Sequence, residues 1–225
     1  MPSVLILGRG SAAQRHERVL AGMGDVTDYA VIASRTEHHE RDLVSLNGFT
    51  GKCLVEKPLS ASGEYGFEIY VGYQLRFCEA IKNLKRDLAE RKVLAVSICS
   101  GQHLSFWKGT RQGVIADYSH EIDIIQYLFG EIQNVVGLSA HEESAAAFVM
   151  RTENCPLVSL YLNYFENPPR REIVVSTDRG TLRADIVMDD NSTRLMHEDV
   201  LSGGGEACTY EQGMAVDAVI ARMRA

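Results

Sequence analysis

The apolar run Val4–Leu7 passes directly into Gly8-Arg9-Gly10-Ser11-Ala12-Ala13, and this junction limits the possible folds more than any other stretch of the chain. A four-residue apolar run ending in glycines reads as a strand buried on both faces. Residues 12–23 then read as a helix, with Ala12, Val19, Leu20 and Met23 apolar and Gly24 ending it. Between a strand and a helix, a G-x-G-x-x-A turn has a physical purpose. Gly8 permits the tight turn, Gly10 lets backbone approach a pyrophosphate, and small Ala13 allows close helix–strand packing. The helix N-terminus favours the phosphate charge, so Gly8, Arg9, Gly10, Ser11 and Ala13 are candidate cofactor-binding residues.

The alternation continues. A strand is expected at 30–33, followed by Thr36 as the N-cap of a helix that runs to about Leu46 and stops at Asn47-Gly48. Apolar runs at 53–55 and 69–71 extend the pattern to a parallel sheet with helices on both faces. Ligands of such sheets lie beyond the carboxyl ends of the strands. Ser34, Thr36 and His39 therefore join the cofactor-binding candidates, as does Glu56 beside Lys57 in the Glu56-Lys57-Pro58 turn. Pro58 stiffens that turn and biases Lys57 away from helical geometry, which can aim its amine across the strand ends. A carboxylate for the coenzyme ribose belongs about 20 residues after the glycines, at a strand end. Only Asp25 and Asp28 are near that place, and both fall in the link before the next strand.

After a charged helical stretch at 79–91 the pattern changes. Val158, Leu160, Leu162 and Tyr164 alternate at period two, as do Ile173, Val175 and Thr177, and Asp178-Arg179-Gly180 reads as a hairpin turn. One helix at 120–129, stopped by Gly130, interrupts this part. The expected organisation is a dinucleotide-binding domain at 1–76 and a substrate and oligomerisation domain at 77–225. His120 and Asp123 lie three apart on one helical face, and a histidine held by a carboxylate is the usual base for an alcohol proton. A helix-start histidine near a capping aspartate explains the same spacing.

Composition excludes several classes. With 23 Lys+Arg against 30 Asp+Glu among 225 residues the net charge is −7, the wrong sign for a nucleic-acid or anionic-membrane surface. No apolar run approaches the roughly 20 residues of a membrane span, and no basic segment precedes the run at 4–7, so no signal peptide is expected. Five widely spaced cysteines without a C-x-x-C pair suggest neither a disulfide framework nor a metal site, which makes a reducing cytoplasm the expected location.

Together the glycine loop, Ala33-Ser34-Arg35-Thr36-Glu37-His38-His39, Glu56-Lys57-Pro58, Val71-Gly72-Tyr73-Gln74-Leu75-Arg76-Phe77 and Ser119-His120-Glu121-Ile122-Asp123 resemble, in content and order, the Gfo/Idh/MocA family of oxidoreductases. The resemblance implies an α/β chain: an N-terminal Rossmann domain and a C-terminal α/β domain on an open, mostly antiparallel sheet. It also implies NAD or NADP as hydride carrier, a sugar-like small-molecule substrate, and a homo-oligomer built through the C-terminal sheet. Mapped onto this chain, Lys57 and His120 are the catalytic pair beside the reacting carbon, with Asp123 orienting His120. Tyr73, Arg76 and Trp107 are lesser candidates for the substrate wall. Arg35 departs from the proline common in the family, and Asp117 stands three residues before His120 where the family's aspartate stands four before. The chain is also short, so that part of the Rossmann domain is missing: its second strand and helix are absent between Gly24 and Asp28. Similar compressions occur near 62–64, 108–113 and 209–212. Either the chain is a reduced relative or its sequence joins residues across exposed loops, and the second reading is preferred because all four places are loop positions in the family. Two other activities fit the same residues: a dinucleotide- or sugar-binding module without chemistry, and an NAD-assisted glycoside hydrolase.

Overall fold

The computed structural model describes residues 4–106 and 111–225, so Trp107 lies outside the described residues. In chain order the elements are β1 Val4–Leu7, α1 Ser11–Ala21, β2 Tyr29–Ile32, α2 His39–Ser45, β3 Lys52–Val55, β4 Glu68–Val71, α3 Glu79–Leu88, β5 Val93–Gly101 and α4 Val114–Asp117. There follow α5 Ser119–Phe129, β6 Ile132–Ala140, β7 Ala145–Thr152, β8 Val158–Asn163, β9 Arg170–Thr177, β10 Gly180–Asp185, α6 Asp190–Ser202, β11 Cys208–Thr209 and α7 Tyr210–Arg224. They form two compact units, 1–77 with 188–217, and 78–187 with 218–225. The first break falls one residue from the expected boundary. The segment 188–217, expected in the second domain, instead belongs to the first unit.

The first unit is a sheet of order β1-β2-β3-β4-β11, parallel through β4 and closed by the antiparallel β11. Its strands are short and apolar, and β2 is buried along its whole length, as a strand covered on both faces must be. Tyr29 and Val31 of β2, Leu54 of β3 and Tyr70 of β4 pack with Ala13 and Leu20 of α1 and with Met196 and Val200 of α6. This packing explains why 188–217 returns. Without α6, an apolar sheet face would stay open to water. The amine of Lys52 seals the join by donating to the Val200 and Leu201 carbonyls at 2.9 and 3.2 Å. The link 25–28 leads straight from α1 to β2, so among the described residues no strand lies beyond β1, and Leu5 is 44% exposed. The strand order is consecutive and contains no reversal. Thr36 also departs from expectation: it opens a 3-10 turn at 36–38 and supplies no side-chain cap.

The second unit is a six-stranded sheet of order β10-β9-β5-β8-β7-β6, antiparallel except between β5 and β8. The alternation read from sequence is present: Val158, Leu160, Leu162, Ile173, Val175 and Thr177 all face inward. Residues 178–179 form the turn between β9 and β10, with Gly180 at φ +108°. The inner face is covered by α4 and α5 through Ile115, Ile122 and Ile125. The outer face is apolar and open, with Val136 71% and Leu138 80% exposed.

Val200 is fully buried against the first sheet. Val200→Asp places an unpaired charge there and is expected to cost about 3 kcal/mol or more, read as a lowered midpoint in urea unfolding; an unshifted midpoint contradicts the placement of α6.

Candidate functional site

The parallel register of the first unit pairs Leu7 with Ile32, Ile32 with Val55 and Val55 with Val71, so four strands end at one edge. Backbone bonds extend the ladder one residue beyond each strand, from Ala33 to Leu7, Glu56 to Ile32 and Gly72 to Val55, at 2.7, 2.8 and 2.7 Å. Gly8, Ser34, Glu56, Lys57 and Tyr73 are thereby brought to the same edge. Gly8 has φ +136°, and a Cβ there would sit 2.2 Å from the Ala33 carbonyl oxygen, so only glycine allows β1 to turn this close to the end of β2. Gly10 is different. Nothing lies within 4 Å of a Cβ built on it, and space is open above it.

Gly10 is also the N-cap of α1. No side chain caps that helix, and its first turn carries no acidic residue. Its terminal N–H groups are therefore oriented for an anion, with Arg9 and Ser11 exposed beside them and Ala13 buried against the sheet. These features fit a dinucleotide pyrophosphate. The ribose end is less complete, because Asp28 precedes β2 at the amino end of the sheet and its backbone carbonyl accepts from Lys52.

Beneath the edge, the cofactor candidates His39 and Glu56 are tied into the protein. His39 is buried, with Nδ1 at 3.1 and 3.2 Å from the Pro58 and Leu59 carbonyl oxygens and Nε2 at 3.3 Å from that of Ser34. It lies under the loop and staples the turn after Lys57 to the turn after β2. Glu56 takes the His16 Nε2 at 3.1 Å on one oxygen and the Lys57 backbone N–H at 3.1 Å on the other. Burial disfavours the Glu56 anion, but the hydrogen bond and charge of His16, with the charge and N–H of Lys57, outweigh it and hold the carboxyl down at about 2. His16 continues inward to His197 on α6 at 2.8 Å, and His197 to the Tyr29 hydroxyl at 2.7 Å. Burial, reinforced by His16, lowers the His197 imidazole to about 3, and burial raises the Tyr29 hydroxyl. Sequence reading missed this chain. The stripe Ala13, His16, Leu20 on α1 was the available signal, whereas α6 gave none. Arg76 is buried and donates to the Glu206 carbonyl and the Gln212 side chain at 3.2 and 2.9 Å, which favours its structural role.

In the second unit, His120 and Asp123 lie one turn apart on α5, 3% and 0% exposed. Around them the start of the helix is densely polar. The Tyr164 hydroxyl and the Gln112 backbone N–H donate to Asp117 Oδ2, and buried Glu121 pairs with Arg171 at 2.7 Å. Burial and the adjacent Asp117 charge raise the Tyr164 hydroxyl. Asp117 is therefore anchored by Tyr164, which follows β8, and by the loop before α4. Among the described residues, no group of His, Cys, Asp and Glu is arranged to hold a metal, and no helix is long and apolar enough to cross a membrane.

No family model and no curated protein sequence matches the chain. Solved structures do. UDP-N-acetylglucosamine 3-dehydrogenase GnnA from Acidithiobacillus ferrooxidans aligns with a TM-score of 0.81 at 17% identity, over 98% of this chain and 96% of its own. A myo-inositol dehydrogenase from Corynebacterium glutamicum aligns with a TM-score of 0.80 at 14% identity, over 97% and 94%. The WlbA dehydrogenase from Bordetella pertussis, solved with NADH and UDP-GlcNAcA, aligns with a TM-score of 0.78 at 15% identity, over 96% and 93%. Identities this low establish a common fold, and activity has to be argued from the site.

Glu56 and His197 both bind protons more weakly folded than unfolded. Their contribution to stability is complete above about 6.5, declines through His197 as pH falls, and declines further below about 4.5 as Glu56 approaches its folded value. His197→Gln is expected to flatten the upper part of that decline and Glu56→Gln the lower part. Urea unfolding across this range checks both; wild-type stability independent of pH contradicts the assignment.

Proposed function

On the premise that the chain has the fold of the Gfo/Idh/MocA-type dehydrogenases, we propose that it is an NAD(P)-dependent oxidoreductase acting on a hydroxyl-bearing carbon of a sugar, polyol or nucleotide sugar. The observation that carries this reading is the uncapped N-terminus of α1 on the same sheet edge as Lys57. The ends of β1 and β3 are two strand spacings apart, roughly 10 Å, a span a dinucleotide covers. Gly8, Arg9, Gly10, Ser11 and Ala13 hold the pyrophosphate in this proposal, with Ser34 and Thr36 lining the next turn and His39 and Glu56 fixing the backbone beneath. The coenzyme, when bound, supplies the hydride acceptor. His120, oriented by Asp123, removes the substrate hydroxyl proton, and Lys57 stabilises the charge that grows on that oxygen. That the similar structures include a UDP-N-acetylglucosamine 3-dehydrogenase and a myo-inositol dehydrogenase supports the substrate class. Five cysteines outside any disulfide suit a reducing cytoplasm.

A binding module without chemistry is the second reading, favoured by one observation: β1 is a sheet edge among the described residues, and Asp28, near the place expected for a ribose-binding carboxylate, precedes β2 instead of following it. The two readings differ in turnover. Lys57→Ala and His120→Ala are each expected to lower the rate of nicotinamide reduction on a sugar and nucleotide-sugar panel by about 10² or more, with coenzyme affinity nearly unchanged; unchanged turnover in both variants contradicts the assigned roles.

The outer face of the second sheet supports a further proposal, a homo-oligomer through that sheet. Val136 opposite Val149, and Leu138 opposite Ala147 and then Tyr161, form a continuous apolar surface on strands that are otherwise well packed. Leu138→Glu is expected to shift the protein to monomer in sedimentation velocity; a wild-type protein already monomeric at micromolar concentration contradicts the proposal.

A further inference from the structure

Four polar side chains from four elements form an unbroken line inside the first unit: Glu56 after β3, His16 on α1, His197 on α6 and Tyr29 on β2. His16, His197 and Tyr29 are at most 1% exposed and Glu56 14%. Buried polar groups destabilise a fold unless their hydrogen bonds are satisfied, and here each member of the line has a partner on either side or at its end. An ionised carboxylate can only accept, so the His16 Nε2 donates. With one proton on each ring, the His16 Nδ1 accepts from the His197 Nε2 and the His197 Nδ1 accepts the Tyr29 hydroxyl proton; a second proton on His16 turns those two bonds round. A protonated Glu56 can instead donate to the His16 Nε2, and the line then runs the other way, with the Tyr29 hydroxyl accepting.

We propose that His16, His197 and Tyr29 are positioning residues that keep Glu56 an anion and so fix the Lys57 turn, with Tyr29 donating into the chain from its far end. The catalytic consequence rests on the reading of Lys57 as the reactive amine; the electrostatic one does not. The second Glu56 oxygen accepts the Lys57 backbone N–H, so the chain ends on the residue that presents the amine. Among the described residues, the groups outside the line that act on its ends are Lys57 on Glu56 and the Cys53 thiol on Tyr29. Neither offers Tyr29 a replacement for His197. Tyr29→Phe keeps the packed ring and removes only the terminal donor, so it separates polarity from packing.

The test is carbon-13 NMR of the Glu56 carboxyl in protein labelled at glutamate, assigned by its loss in Glu56→Gln, and titrated without substrate or coenzyme. In Tyr29→Phe the midpoint is expected to rise by one unit or more, about tenfold in proton affinity, and in His16→Leu by more. His16→Gln, whose amide can donate to Glu56 and accept from His197, is expected to restore the wild-type midpoint. The acid limb of kcat is expected to move upward in Tyr29→Phe in parallel. A Glu56 midpoint equal in wild type and Tyr29→Phe overturns the inference and leaves the proposed reaction standing. A midpoint that rises in a protein with no turnover supports the inference and removes the proposed reaction instead.

Discussion

Glu56 is a carboxylate within a sheet edge, and it can remain ionised there because His16 supplies a hydrogen bond from the neighbouring helix. Much of the first unit is arranged around that fact. The helix whose free N-terminus faces the edge is the helix that carries His16. The segment that returns from the end of the chain delivers His197. The strand at the centre of the parallel register contributes Tyr29. Removing one member leaves the others buried and short of a partner, which is the costly way to break such a network.

The sheet edge gains its chemistry from this anchoring. Gly8 brings β1 against the end of β2, His39 staples the turns after β2 and β3, and Glu56 holds the Lys57 amide. Three backbone turns are thus fixed relative to the N–H groups of α1. Preorganised polar groups aimed at charge that develops during reaction are the main source of catalytic stabilisation in sites of this kind. The second unit has a polar helix start of its own, where Asp117, His120, Glu121 and Asp123 are all buried on or beside α5.

The parts of the fold legible in sequence were those where one residue type leaves a single geometric choice. Gly8 and Gly10 after Val4–Leu7 marked the first turn, Gly130 ended α5, and the 158–164 alternation gave β8. β7 was not legible, because Ala145–Thr152 opens on three alanines that suit a helix, and only pairing with β6 and β8 makes it a strand. β6 was hidden by its apolar outer face, where Val136 and Leu138 erase the polar half of the alternation. The return of α6 was invisible for another reason. His197 finds His16 across 181 residues, and no local pattern encodes a partner that distant. At the site, the identity of Glu56 and Lys57 was readable from their place after a strand, whereas the chain beneath them belongs to tertiary structure.

The central claim is that this sheet edge holds a nicotinamide coenzyme for hydride transfer involving Lys57. Transfer of deuterium from C4-deuterated NADH or NADPH to keto sugars and keto nucleotide sugars, followed by mass spectrometry, tests it most directly. The account predicts label on carbon in at least one product with the wild-type protein, and little or none with Lys57→Ala. Saturable coenzyme binding with no label transferred to any acceptor in the panel would contradict it.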